Sequence, residues 1–199
     1  KAMVNSVNGK EKVMSEVFPL VKKYGGVLVC LTLDENGIPE TVEGRINIAK
    51  RIIAKAEEYG ITKENLVFDP LCMTVSTNKD NAKITLECIE KLTNDLGVKT
   101  VLGVSNVSFG LPNRELLNST FFTLAMQKGL SAGIINPKSD AMMNAYYSYC
   151  ALSGLDENFE QYIANVTDTK AEIKTTDVDL KTAVVKGLKS QAKKQKKIE

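Results

Sequence analysis

The chain has 199 residues, 43% of them hydrophobic and 25% charged, which suffices for one domain with a substantial core. Its net charge of +2 gives no sign of a nucleic-acid partner, and no apolar run is long enough to cross a membrane, so we expect neither partner. The absence of histidine excludes histidine-based catalysis and a Cys/His zinc site, and no CxxC pair supports a Cys-only metal site. Four scattered cysteines predict free thiols and a cytoplasmic protein.

Apolar segments and amphipathic segments alternate along the chain. The amphipathic segment at 41–59 has Thr41 as a candidate cap and Gly60 just past its end, whereas Pro19 interrupts the segment at 11–24. The predicted strands cover residues 2–5, 25–33, 65–69, 99–105 and 130–135, and the predicted helices cover residues 11–24, 41–59, 76–97, 113–129 and 138–154.

Five strands and five helices in alternation predict βα units and a parallel sheet. An open doubly wound sheet and a (β/α)8 barrel both fit this pattern. No GxGxxG fingerprint follows any predicted strand. Its absence disfavours the dinucleotide-binding form of the doubly wound sheet. Five units are too few for a complete barrel. The sequence therefore predicts the C-terminal five βα units of a TIM barrel, with the first three strands missing.

Polar side chains follow the predicted strands, where a parallel barrel builds its active site. Each is also an ordinary turn former or helix cap. Together they form a ring of amides and carboxylates that suits a planar, neutral, polar ligand such as a pterin, and does not suit a phosphate. The members of this ring are Asn5, Asn8, Asp34, Asp69, Asn106 and Asn136.

Four stretches in order, "NSVNG", "LVFDPLCMTVST", "GVSNVSFGLPNR" and "SAGIINP", resemble the methyltetrahydrofolate-binding barrel of corrinoid-dependent methyltransferases. Within that family, the folate domain of cobalamin-dependent methionine synthase is the most similar. The resemblance covers about residues 1–155, and the stretch after the fourth strand is its most specific part. Dihydropteroate synthases share the barrel and the "DP" dipeptide, but their Ser-Arg-Lys element and their C-terminal Arg-Xaa-His motif are absent here.

The resemblance implies a role for six residues. Asn5 matches the asparagine that hydrogen-bonds the pterin edge, and Asp69 matches the carboxylate that grips the ring N–H and the exocyclic amine. Asn106 matches the asparagine beside N5, the atom that carries the methyl group, and is the predicted catalytic residue. Gly103 and Ile134 match positions that line the pterin slot, and Arg114 matches a basic residue near the site that could equally pair with Glu115.

The implied reaction moves a methyl group from N5 of 5-methyltetrahydrofolate to the Co(I) of a corrinoid on a partner domain or protein. The barrel itself needs no metal. The Asn106 amide can donate or accept, so it can follow the change of charge at N5, and such a hydrogen bond is commonly worth roughly 2 to 4 kcal/mol of barrier. The missing strands supply a further pterin-binding aspartate in the family.

Two alternatives to methyl transfer stay open. In one, an incomplete barrel only binds a partner chain, such as a separate N-terminal half or a second copy of itself. In the other, the chain is a dihydropteroate synthase-like enzyme. Residues 156–199 form a predicted helical extension, in which "VDLKTAVVKGLKSQA" resembles the start of the cap that precedes a cobalamin domain. A helix packed on the barrel exterior is the alternative for this segment.

Overall fold

The structure, a computed structural model, describes residues 2–166. Its residues up to Tyr162 form one compact unit. The five strands are β1 (Met3–Asn8), β2 (Val27–Leu31), β3 (Leu66–Asp69), β4 (Lys99–Gly103) and β5 (Ala132–Ile134). The helices are α1 (Glu11–Tyr24), α2 (Val42–Glu58), α3 (Asn81–Asn94), α4 (Arg114–Gln127), α5 (Asp140–Leu152) and α6 (Glu160–Asn165). Short 3₁₀ turns cover Lys63–Asn65, Val104–Ser108 and Glu157–Phe159.

The five strands form one parallel sheet in the order β1-β2-β3-β4-β5. Each strand therefore pairs with its neighbour in the sequence, and the order never reverses. A doubly wound sheet has a point where the strand order switches, so this topology favours the barrel family. The predicted α/β class and the parallel sheet are confirmed, and the arrangement is consistent with part of a TIM barrel.

The two faces of the sheet have different roles because side chains alternate along a strand. One face packs against the helices through buried side chains such as Leu28, Phe68 and Leu102. The other, which we call the inner face, carries Val29, Val67 and Val101 in a cluster of strand residues alone. In a TIM barrel this side of the sheet faces the interior, and most of the predicted site residues lie on it or at its rim.

Local sequence explains where the second helix begins and ends. The Thr41 hydroxyl accepts a hydrogen bond from the Gly44 N–H at 3.1 Å, as predicted for a helix cap. Gly60 follows the helix with φ of 75°, a left-handed conformation that glycine adopts without strain. In α1, Pro19 is exposed, and the helix continues through it from Glu11 to Tyr24.

Several predicted boundaries are wrong, and three differences matter most. The first strand does not end at Asn5 but continues to Asn8, with an irregular register between Asn5 and Val7. The third helix begins at Asn81 rather than at residue 76, because the preceding residues form an ordered loop. The segment 156–166 is broken into a 3₁₀ turn and α6, since Asn158 and Phe159 have positive φ values. The predicted helix beginning at Val178 lies outside the described residues.

Within residues 2–166, no helix combines the length and the apolar character that crossing a bilayer requires. The same part of the chain contains no group of three Cys, Asp or Glu side chains arranged to hold a metal ion.

Candidate functional site

Asp69 ends β3 at the rim of the inner face. Its side chain is half-buried, and its Oδ1 accepts a hydrogen bond from the Leu71 N–H at 2.8 Å. Burial raises the pKa of the carboxyl, while the Leu71 N–H and the charge of Arg45 partly offset that rise. Within the described residues Oδ2 accepts no hydrogen bond, so the carboxylate can still receive two parallel donors from a ligand.

Asn106 lies in the 3₁₀ turn that follows β4, next to Asp69 in the order of strands. A Cβ atom added to Gly103 would point to the inner face and lie 3.2 Å from the Asn106 Nδ2 atom. The exposed amide therefore turns back over the inner face. In the part of the chain that the structure describes, it makes no hydrogen bond. Its donor and acceptor groups are available to a ligand.

Hydrogen bonds join the loop after Asp69 to the turn that carries Asn106. Thr74 Oγ1 and Ser76 Oγ donate to the Phe109 carbonyl oxygen at 2.7 and 2.8 Å. The Val75 N–H donates to the Val107 carbonyl oxygen at 2.9 Å. Neighbouring strands lie about 5 Å apart, so these bonds hold the two side chains on adjoining parts of one rim.

Asn5 lies deeper on the same face and further along the sheet. It pairs in register with Val29, and Val29 pairs with Val67, so Asn5 belongs to the inner face by alternation. Two strand spacings, about 10 Å, separate β1 from β3. The Asn5 side chain is exposed, which leaves its amide accessible from the inner face.

Arg114 and Ile134 line one cleft of about 440 Å³ beyond β4. The Arg114 Nε donates to Ser108 Oγ at 2.9 Å, its Nη2 donates to the Ser105 carbonyl oxygen at 2.7 Å, and its guanidinium lies 4.5 Å from the centre of the Phe109 ring. It makes no ion pair with Glu115 within the described residues. Ile134, at 62% exposure, pairs in register with Gly103.

The structure thus places Asn5, Asp69, Gly103, Asn106 and Ile134 on or over the inner face, and Arg114 beside it. Three other members of the ring predicted from the sequence serve their own turns. Asn8, Asp34 and Asn136 each accept a hydrogen bond from the backbone N–H two residues later, at 3.0, 2.9 and 3.1 Å. Asp34 also pairs with Arg51 at 3.4 Å.

Three residues that shape this rim are not among the predicted site residues. Thr74 and Ser76 lie inside the stretch "LVFDPLCMTVST" but have no role that the sequence predicts. Arg45 is buried in α2, beneath the turn that follows Asp69. One signal could have found it: position 45 lies next to the apolar stripe of Val42, Ile46 and Ala49, where a charged side chain is unexpected.

The chain is similar in sequence to several known proteins. The family model described as pterin binding enzyme matches residues 1–136. The chain is 34% identical over 165 residues to a methylcorrinoid:tetrahydrofolate methyltransferase of Eubacterium limosum, a match that covers 80% of this chain and 60% of that protein. It is 31% identical over 157 residues to the methionine synthase of Mycobacterium tuberculosis, covering 72% and 13%. For the methionine synthase of Mycobacterium leprae the identity is 33% over 149 residues, covering 68% and 12%. The chain therefore spans less than two thirds of each of these relatives.

Proposed function

Because the match to the family model covers more than half of its length, the chain belongs to the pterin-binding enzymes, and we propose that it binds 5-methyltetrahydrofolate and transfers the N5 methyl group to a corrinoid. The observation that carries the proposal is the pairing of Asp69 with Asn106. Within residues 2–166, a half-buried carboxylate with one oxygen that accepts no hydrogen bond and an amide that makes none lie on adjoining parts of one rim. A pterin ring needs both kinds of group.

Asp69 would bind and orient the ring in this site. A carboxylate can accept from a ring N–H and the adjacent exocyclic amine together, as two parallel hydrogen bonds. Its half-buried position shields these bonds from water, so each contributes more than it would in solvent. Asn5 would contact the edge of the ring, and Gly103 and Ile134 would line the slot.

Asn106 would act at N5. During transfer the bond between N5 and the methyl carbon breaks, its electron pair stays on N5, and N5 takes up a proton. The amide can hydrogen-bond N5 as its charge changes, without changing its own charge. A corrinoid held by a partner domain or protein supplies the Co(I) nucleophile that takes the methyl group.

The direction of transfer has a second candidate. The name of the Eubacterium limosum relative puts the methyl group on the corrinoid and makes tetrahydrofolate the acceptor. The same site serves that direction, since N5 then loses a proton as it gains the methyl group. An assay with each methyl donor separates the two directions.

The proposal extends to organisation and location. We assign residues 1–155 to the C-terminal five units of a TIM barrel and residues 156–199 to a helical extension. The first three strands would come from another segment of the protein, and a homodimer stays a prediction. Free thiols at Cys30, Cys72, Cys88 and Cys150 support a cytoplasmic location.

The test uses Asp69→Asn and Asn106→Ala in the full-length protein, with Asp80→Asn and Asn94→Ala as controls, since both control residues are exposed on or beside α3. Calorimetric titration with 5-methyltetrahydrofolate should show tight binding that both site variants weaken. Asn106→Ala should also slow methyl transfer to Co(I) cobalamin, by about 100-fold if it removes one hydrogen bond to developing charge. Unchanged affinity in both site variants would instead support the non-catalytic alternative.

A further inference from the structure

A positively charged side chain lies in the core without forming an ion pair among the described residues. Arg45, near the start of α2, is 1% exposed. Within residues 2–166 it forms no ion pair with any Asp or Glu. Burial lowers its pKa, as expected for a cation removed from water. A buried charge usually stabilises a fold less than an apolar side chain of similar size would. Stability alone therefore does not account for arginine at this position.

The Arg45 guanidinium donates its hydrogen bonds to the backbone of two loops. Its Nε donates to the Pro39 carbonyl oxygen at 2.9 Å. Its Nη1 donates to the carbonyl oxygens of Pro70 and Leu71 at 2.8 and 2.9 Å. Pro70 and Leu71 directly follow Asp69. Arg45 therefore clamps the turn through which the chain leaves the carboxylate.

The same turn sets the orientation of the Asp69 side chain. The Leu71 N–H makes the one hydrogen bond that the carboxylate accepts within the described residues. Leu71 has φ of 62°, a left-handed conformation that costs free energy for a residue with a side chain. Contacts from outside the turn must hold it in that conformation. The two hydrogen bonds from Arg45 are such contacts.

We infer that Arg45 is a positioning residue for pterin recognition, because its clamp on the Pro70–Leu71 turn fixes the direction in which Asp69 presents its oxygens. This inference rests on the proposed function, in which Asp69 grips the ring. The charge of Arg45 also favours the ionised carboxylate. The Cys72 thiol also lies near Asp69. Burial raises the pKa of this thiol to about 12, so the thiol stays neutral. Among the described residues, Arg45 is therefore the charged group that acts on Asp69.

The test compares Arg45→Lys and Arg45→Met with Lys50→Met, which removes a charge from the exposed side of the same helix. Calorimetric titration of the full-length protein with 5-methyltetrahydrofolate, over a series of pH values, gives the dissociation constant and its pH dependence. We expect Arg45→Lys to weaken binding about tenfold, the equivalent of one modest hydrogen-bonding contribution, and Arg45→Met to weaken it further. Lys50→Met should bind as the unaltered protein does.

Two readouts separate positioning from a merely structural role. In an Asp69→Asn background, Arg45→Lys should cause no further loss of affinity, because its effect passes through that carboxylate. The pH below which binding is lost should rise in Arg45→Met, which removes the charge, and stay nearly constant in Arg45→Lys. A full additional loss in the Asp69→Asn background would overturn the inference.

Failure of the inference and failure of the proposed function give different results. If Asp69→Asn weakens binding while Arg45→Lys and Arg45→Met bind normally, the role of Arg45 is refuted and the proposed function stands. If Asp69→Asn leaves binding unchanged, the proposed function fails, and with it the inference. Should Arg45→Met not fold, Arg45→Lys and Arg45→Gln carry the test, since each keeps a polar donor but cannot make all three hydrogen bonds of the guanidinium. Normal affinity in both Arg45→Lys and Arg45→Gln would then refute the inference.

Discussion

At Asp69, the ligand recognition that we propose and the stability of the fold make opposite demands. A carboxylate that is half-buried gives strong, directed hydrogen bonds to a ligand, but its charge is poorly solvated when the ligand is absent. Burial raises the pKa of the Asp69 carboxyl for this reason. The Leu71 N–H and the charge of Arg45 offset only part of the rise. If Asp69 is kept for function at the expense of stability, removing its charge should make the folded protein more stable.

We therefore predict that Asp69→Asn increases the free energy of unfolding at neutral pH. The folded-state pKa lies above the unfolded value, so the contribution of Asp69 is most favourable below the unfolded pKa and is lost as the pH rises through the folded pKa. Chemical denaturation at pH 7 and at about pH 4, near the ordinary pKa of Asp, should show a difference between variant and parent that shrinks at the lower pH. A variant less stable than its parent at pH 7 would contradict this account.

Gly103 provides a test of the position of Asn106. Its φ of −75° suits alanine, but the added Cβ would lie 3.2 Å from the Asn106 Nδ2 atom and displace the amide by a few tenths of an ångström. We predict that Gly103→Ala lowers the rate of methyl transfer about tenfold, since small misplacements near reacting atoms are costly. The free energy of unfolding should barely change. In a protein that already carries Asn106→Ala, Gly103→Ala should not lower the rate further. If Gly103→Ala still lowers the rate by the same factor, its effect does not act through Asn106.

Residues with short, local signals could be predicted from the sequence, whereas residues that act across the fold could not. Thr41 and Gly60 were identified because a helix cap depends on a few neighbouring positions. Asp69 and Asn106 are recognisable in the sequence because each lies at or just past the end of an apolar strand and within a family motif, although their roles stay predictions. Arg45 was missed because its partners, Pro39 and the Pro70–Leu71 turn, are brought to it only by the packing of α2 on β3.

At the scale of elements, α2 connects the helix layer to the rim. Thr41, which caps α2, lies four residues before Arg45. The first turn of α2, which this cap stabilises, therefore also carries the arginine that binds the Pro70–Leu71 turn. Strand and helix boundaries were comparably hard to predict, since β1 ends three residues later and α3 begins five residues later than the sequence predicts. β1 continues through the polar residues Asn5 and Ser6 because backbone pairing with β2, rather than apolar side chains, extends it to Asn8.

We predict that Thr41→Ala costs about 1 kcal/mol of the free energy of unfolding, the usual value for removing a helix cap. The Thr41 hydroxyl accepts from the Gly44 N–H, which would lose its partner. Thr41→Ser keeps the oxygen and should behave nearly as the unaltered protein does in the same chemical denaturation experiment. An equal loss in both variants would mean that the methyl group of Thr41, and not the cap, is responsible.

At the scale of the whole molecule, the order of the strands decides where a ligand can bind. Sequential pairing puts the helices on one face and leaves Asn5, Asp69 and Gly103 on the other. The alternation of strands and helices was sufficient to predict this parallel sheet. The alternation could not predict that β5 has only three residues and is exposed. The length and burial of a strand depend on the elements that pack beside it, and the residues of the strand do not encode those elements.

A ligand that spans several strands should stabilise the folded sheet as a unit. If 5-methyltetrahydrofolate binds only the native inner face, then free ligand at about 100 times its dissociation constant adds about 2.7 kcal/mol to the free energy of unfolding. For a protein of this size, that corresponds to a rise in Tm of roughly 5 to 10 °C. Thermal denaturation of the full-length protein should show this rise with 5-methyltetrahydrofolate but not with p-aminobenzoylglutamate, which has the tail of the folate without its bicyclic ring. At the same ligand concentration Asp69→Asn should show a smaller rise, because the ring loses its carboxylate partner. An equal rise with both compounds would place binding at the tail of the ligand and away from the inner face.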